Sequence, residues 1–177
     1  IFKEKGYDNK WIYGGYGYFD NMNYFFGHNG FQIVDRAVWD KSEVTFANAW
    51  GAADDDTYRK VIKEADKSYA AGKPFFTMLL SISNHRPYTY PEGRIPLEPE
   101  KWGRLGGVMY ADYAIGEFIK EAKGKPWFDN TLFVFIADHT AGASGKEEIN
   151  LEGYHIPFII YAPKLVKTQR IDTPISQ

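Results

Sequence analysis

The sequence contains no cysteine, which excludes disulfides and thiolate metal sites. It has no apolar stretch near the ~20 residues that a membrane-spanning helix requires, and no signal-peptide pattern. Charge of either sign is not in excess: 21 Lys and Arg face 23 Asp and Glu, for a formal net charge of -2. That balance provides no basic footprint for nucleic acid and no acidic tail. Histidine is scarce, with four in the chain. Gly14-Gly15-Tyr16-Gly17 lacks the Lys-Ser/Thr of a nucleotide phosphate loop and a convincing helix after it, so nucleotide chemistry is not indicated. No internal repeat or low-complexity segment interrupts the chain.

What remains is a chain of 177 residues, 44% of them hydrophobic. That is enough for one sizeable core, and a single domain spanning residues 1–177 is expected. Aromatics make up 18% and many fall before residue 50, which suits a packed, loop-rich region or a carbohydrate-facing surface. Ile1-Phe-Lys-Glu-Lys-Gly6 reads as a helix end with a glycine stop. With Ile175-Ser-Gln177 at the other end, both termini read as cut, and the chain is expected to be a piece of a longer protein.

Three apolar runs read as strands. Leu132 to Ala137 is continuous, with β-branched and aromatic members, and no polar alternation breaks it. This predicts a strand buried on both faces of a parallel sheet. Pro74 to Ser83 is a second run, and Tyr154 to Pro163 a third, bracketed by proline. Shorter strands are expected at Lys10 to Tyr13 and Phe31 to Val34, with a turn at Asn29-Gly30 and one or two helical turns over Phe19 to Phe26.

Asp54-Asp-Asp-Thr57 is a run of helix-start residues. Tyr58, Val61, Ile62, Ala65 and Tyr69 continue it in the rhythm of an amphipathic helix ending at Gly72. The spaced acids and terminal Glu of a calcium loop are missing, so the triple Asp is read as capping. Prolines 87, 91, 96 and 99 keep residues 88–102 extended, and Val108 to Ile119 traces a second helix. Strand, helix, strand, helix, strand predicts parallel βαβ crossovers.

Polar groups stand at the ends of these strands. Asp138 and His139 follow the central apolar run, and Asn84-His85-Arg86-Pro87 follows the second. Ligands in open α/β sheets bind beyond the carboxyl ends of the strands. Asp and His together are donors for Zn²⁺, Mn²⁺ or a similar divalent ion, with His85 and Arg86 placed to hold ester oxygens. The local pattern equally allows Asp138 to cap the next turn and His139 to be an ordinary loop residue. His155 opens the third strand, which in a parallel arrangement points it away from the other two. His28, beside Asn29-Gly30, reads as a turn residue.

The motifs Ser83-Asn-His85-Arg-Pro87, Tyr110-Ala-Asp112-Tyr-Ala-Ile-Gly116, Ile136-Ala-Asp138-His139 and Tyr154-His-Ile-Pro-Phe-Ile-Ile-Tyr-Ala-Pro163 occur in that order. Together with Tyr13-Gly-Gly15 and Phe19-Asp-Asn-Met22, they resemble the sulfatase family. The branch is that of bacterial phosphoglycerol transferases and lipoteichoic-acid-synthase-like proteins in the alkaline phosphatase superfamily. The resemblance implies a three-layer α/β/α sandwich around a mostly parallel sheet, incomplete at its N-terminus. It also implies a metal-dependent enzyme transferring or hydrolysing phosphate or sulfate esters. A divalent ion (Mn, Mg, Ca or Zn) would sit on Asp138 and His139, and His85, Arg86 and His155 would bind substrate.

The family's nucleophile and first metal carboxylate are expected upstream of Ile1, so residues 1–177 alone are expected to be inactive. Tyr13, Asp20 and Met22 stand where lipoteichoic acid synthases carry His, Trp and Arg, a departure from that substrate pattern. The implied setting is extracytoplasmic, in a membrane-anchored parent protein acting on a glycan or lipid headgroup. A reading from another class is a non-catalytic glycan- or anion-binding domain that keeps the fold.

Overall fold

The computed structural model describes residues 1–140 and 155–175. Residues 141–154, including Tyr154 and the glycine-containing stretch after the Asp-His pair, lie outside the described residues, as do residues 176–177. The chain divides into two compact units, Ile1–Lys125 and Pro126–Gln177.

The first unit is built on β1 (Asp8–Tyr13), which pairs in parallel with β2 (Gln32–Asp35) on one side and β3 (Phe75–Leu80) on the other. Trp11 lies opposite both Ile33 and Met78. Asn9 to Tyr13 are all buried, so among the described residues β1, rather than any of the three longer apolar runs, is the strand covered on both faces. Alternate side chains leave a strand on opposite sides. Trp11 stacks on Phe26 of α1 (Met22–His28) at 3.7 Å between ring centres. Lys10 points the other way, where its ammonium donates to Glu64 O and Ser68 Oγ on α2 (Asp54–Ala70), each at 3.0 Å. Helices on both faces make this unit the expected α/β/α arrangement.

Helix α3 (Gly103–Ala122) buries Tyr110, Ala114, Phe118 and Ala122, a stripe with the four-residue spacing of one helix face. It packs along α2, where Phe118 stacks on Tyr58 at 4.9 Å. Strand β3 is shorter than the apolar run suggested and leaves Met78 and Leu80 exposed. Gly6 and Gly30 adopt positive φ at the stops expected of them.

In the second unit, β4 (Phe133–Ile136) pairs with β5 (Phe158–Tyr161), and Phe133 packs near Phe128 and Tyr161. This pairing corrects two expectations. It is antiparallel, with Ile136 opposite Phe158, because an apolar run encodes burial but not direction. Val134 and Ile136 are exposed: two-face burial needs a layer on each side, and the ladder within this unit does not have both. Among the described residues, parallel pairing still holds for two of the three ladders.

Candidate active site

Strand order β2-β1-β3 means that the chain leaves β1 toward one side, then returns past it to the other. The carboxyl ends of β1 and β3 therefore flank a topological switch point, the place where doubly wound sheets bind ligands. Tyr13, Gly14 and Gly15 arrive there from β1. Ser81 to Arg86 arrive from β3, and the amino terminus of α2 lies beside them.

The three aspartates of α2 organise this edge in a way that differs from capping. The N-cap is Ala53 and makes no side-chain cap bond. Asp54 Oδ1 accepts the backbone N–H groups of Ile82 (2.8 Å) and Ser83 (3.1 Å), and Ser83 Oγ accepts the N–H of Asp54 in return. Asp55 Oδ1 accepts the Tyr110 hydroxyl of α3 at 2.5 Å, and its Oδ2 faces Arg59 and Arg94. Asp56 accepts the N–H and hydroxyl of Thr45 and the N–H of Phe46, and pairs with Arg59. One helical turn thus fastens three segments: the β3 loop, α3, and the start of the loop ending at Ala53. All three carboxylates are buried. Burial pushes Asp54 above its usual range, against the hydrogen bonds that pull it down.

His85 and Arg86 stand in the loop that Asp54 holds. The His85 N–H bonds to Ile82 O at 2.9 Å, and Tyr88 N–H to His85 O at 2.8 Å. His85 Nδ1 lies 2.9 Å from Arg86 O. A carbonyl only accepts, so Nδ1 carries the proton and Nε2 is left facing outward. Trp50 contributes its indole N–H to the same carbonyl at 2.6 Å, with its ring edge-on to the imidazole at 4.4 Å. Phe19 meets Trp50 at 5.3 Å. Nearby, burial and then the charge of Asp20 raise the Tyr13 phenol, which keeps it a neutral donor. Asp35 holds the loop between Tyr13 and α1 through Gly17 N–H (2.9 Å) and Asn23 Nδ2 (2.8 Å).

The remaining candidates belong to the second unit. Asp138 and His139 follow β4 and are exposed. Asp138 Oδ1 accepts the His139 N–H at 2.9 Å, the local turn contact that the sequence left open. His139 Nδ1 donates to Thr140 O at 2.7 Å, and its Nε2 lies 3.4 Å from Asp138 Oδ2. Two ligands ~2.0–2.1 Å from a tetrahedral ion are about 3.3 Å apart, so this pair already has the spacing of one coordination edge. Nδ1 held by a carbonyl is also the usual support for a ligand bonding through Nε2. The donors thus fit a divalent ion. Among the described residues, however, no group of three or more such side chains is gathered.

His155 is exposed, three residues before Phe158, just as His139 is three residues after Ile136. Antiparallel pairing therefore brings it to the same end of this ladder as the Asp-His pair, where the parallel reading had pointed it away. His28 closes α1 rather than lying in the turn after it, with its ring tilted against Tyr24 and Nδ1 at 2.8 Å from Tyr24 O.

Sequence reasoning missed Trp50 and the role of the aspartate run. Residues 36–53 have no apolar period to flag Trp50, and its only local signal is Asn48 and Gly51 around it. Asn48 Oδ1 accepts the Trp50 N–H at 2.8 Å, an Asx turn.

The architecture is that of the alkaline phosphatase superfamily. A superfamily member from Vibrio parahaemolyticus superposes with a TM-score of 0.82 and 41% identity, over 90% of this chain and 39% of its own. The lipoteichoic acid synthase LtaP of Listeria monocytogenes has the same fold, with a TM-score of 0.74 and 24% identity over 93% of this chain and 45% of that one. Within the superfamily the chain belongs to the sulfatase family, whose model matches residues 1–177. Phosphoglycerol transferase I of Citrobacter koseri is 28% identical over 149 residues, and that of Escherichia fergusonii is 28% identical over the same length. Each match covers 80% of this chain and 20% of the relative.

Proposed function

We propose that this chain is part of a phosphoglycerol-transferase-type catalytic domain that moves or hydrolyses a phosphate or sulfate ester with the help of a divalent cation. The observation carrying the reading is the Asp138–His139 geometry, with Nδ1 tied to Thr140 O and Nε2 3.4 Å from a carboxylate oxygen. In this reading Asp138 and His139 hold the cation. A cation there lowers the pKa of a bound nucleophile and offsets charge on the transferring group. No nucleophile is assigned within residues 1–177. The names of the phosphoglycerol transferase relatives favour a phosphoglycerol ester, and in this reading a glycan or lipid headgroup is the other partner.

In the same reading His85 binds a non-bridging ester oxygen. Its Nδ1–H is committed to Arg86 O, so Nε2 is the ring nitrogen left to meet the substrate. A positioned donor of this kind contributes ~2–4 kcal/mol to the transition state. Arg86, exposed beside it, adds a fixed positive charge, and His155 is assigned to substrate binding in the same reading. The test is His139→Ala in the full-length protein. Loss of bound metal and of phosphoglycerol-ester turnover is expected; unchanged metal content and turnover would overturn the reading.

A second reading has one observation in its favour. Tyr16, Tyr18, Phe19, Tyr24 and Phe25 expose aromatic faces within ten residues, the kind of surface a non-catalytic glycan-binding domain would use. Saccharide binding by full-length protein that shows no chelator-sensitive turnover would decide for it.

A further inference from the structure

We propose that Trp50 is a positioning residue that sets the orientation of His85 and so which ring nitrogen meets the ester oxygen. The inference rests on the reading of His85 as the group that binds the ester oxygen.

His85 lies in an exposed loop, where an imidazole on its own would sample several rotamers and both neutral tautomers. Two contacts remove that freedom. Arg86 O accepts from both Trp50 Nε1–H (2.6 Å) and His85 Nδ1–H (2.9 Å), so both lone pairs of one carbonyl are used. The indole edge also meets the imidazole at 4.4 Å and 62°, which limits ring rotation. Together they hold the proton on Nδ1 and turn Nε2 outward.

Trp50 can do this because its own backbone is fixed to the sheet. Ala52 N–H donates to Gly14 O at 2.9 Å, immediately beyond β1. Asn48 Oδ1 holds the Trp50 N–H, while Asn48 Nδ2 reaches Thr89 Oγ1 at 3.0 Å. Gly51 has φ +150, and a Cβ there would run into the backbone of Gly14 and Gly15. A Cβ on Gly15 would strike Trp50 O. The two loops therefore touch backbone to backbone, and the indole is carried from the end of β1 to the end of β3. Phe19 against its other side completes the seat. Trp50 touches no reacting atom in this account; it acts through His85.

The test uses the full-length protein with ¹⁵N-labelled histidine, together with phosphoglycerol-ester kinetics for Trp50→Phe, His85→Ala and the double variant. Trp50→Phe keeps an aromatic ring and removes the N–H. In the wild type, long-range ¹H–¹⁵N spectra of neutral His85 are expected to show the proton on Nδ1, and Trp50→Phe to give a mixture of tautomers. Displacing a positioned group by a fraction of an ångström costs on the order of tenfold in rate, so kcat/KM of Trp50→Phe should fall about that much. In the His85→Ala background the same substitution should cost nothing further.

An Nε2–H tautomer in the wild type would overturn the proposal. So would an equal loss from Trp50→Phe with and without His85, because a merely structural role would persist in both. If His85→Ala leaves turnover intact, the assignment of His85 to the ester falls instead, and the tautomer spectra still decide the claim about Trp50.

Discussion

Replacing Asp54 by alanine tests whether the β3 loop is held by a side chain or by its own turns. Asp54 Oδ1 is the acceptor for Ile82 N–H and Ser83 N–H, two groups on buried residues. Each buried donor left without a partner costs ~1–3 kcal/mol. Local movement that readmits water recovers part of this, and removing a buried carboxyl returns a little more. The net expectation for Asp54→Ala is therefore a loss of ~2–4 kcal/mol. Asp54→Asn keeps a carbonyl oxygen in the Oδ1 position and should stay within about 1 kcal/mol of the parent.

Linkage sharpens the comparison. Burial raises Asp54 above its usual value. Its contribution is therefore fully present below the unfolded value and is lost as pH rises through the folded one. Asparagine does not titrate, so the difference between the two proteins should tilt toward asparagine as pH rises. Urea denaturation at several pH values, with unchanged m, measures the energies, and amide exchange at Ile82, Ser83 and His85 reports the loop. The reasoning is refuted if Asp54→Ala stays within about 0.5 kcal/mol of the parent with those amides still protected. It is equally refuted if Asp54→Asn is as damaging as Asp54→Ala.

Other consequences are more local. Tyr110→Phe removes the hydroxyl that bonds Asp55 at 2.5 Å but keeps the stack on Tyr90 at 5.1 Å; a loss of ~1.5–3 kcal/mol is expected in denaturant melts, and an unchanged midpoint would contradict it. Burial raises the Glu43 carboxyl, but bonds from Lys60, Lys63 and the Asp40 N–H outweigh it and bring it down to about 2. The stability this lowered carboxylate supplies is present above its ordinary value of 4.5 and disappears as pH falls through about 2. Since solvent reaches Lys63, Glu43→Gln should cost about 1–2 kcal/mol near neutral pH and nothing in strong acid; a pH-independent gap would show the effect is not electrostatic. Asp35→Ala should free the loop from Gly17 to Asn23, seen as faster amide exchange at Gly17.

The sequence made the elements readable where side chains repeat with a period. Tyr58, Val61, Ile62 and Ala65 set α2, and the four-residue stripe from Tyr110 to Ala122 set α3. The ends of β3 and β4 drew attention to His85 and to the Asp-His pair, because ligands in open α/β sheets bind beyond the carboxyl ends of strands. Three features were not readable, each for a physical reason. The direction of β5 depends on connectivity, which composition does not carry. The two-face burial of β1 comes from α1 and α2 packing on its opposite faces, although its own sequence includes Asn9 and Lys10. Trp50 is placed by an Asx turn and by glycine contacts between loops, which leave no periodic trace.

The run Asp54-Asp55-Asp56 also behaves as a gauge of spacing. Successive residues on an α-helix are rotated by ~100° about its axis, and each carboxylate meets a different segment only because its azimuth is right. Exchanging one acid for a comparable acceptor disturbs one attachment. Inserting or deleting a single residue at the head of α2 would swing all of them off target at once, releasing the β3 loop, Tyr110 and Thr45 together. Length, more than composition, is the property this short stretch cannot surrender.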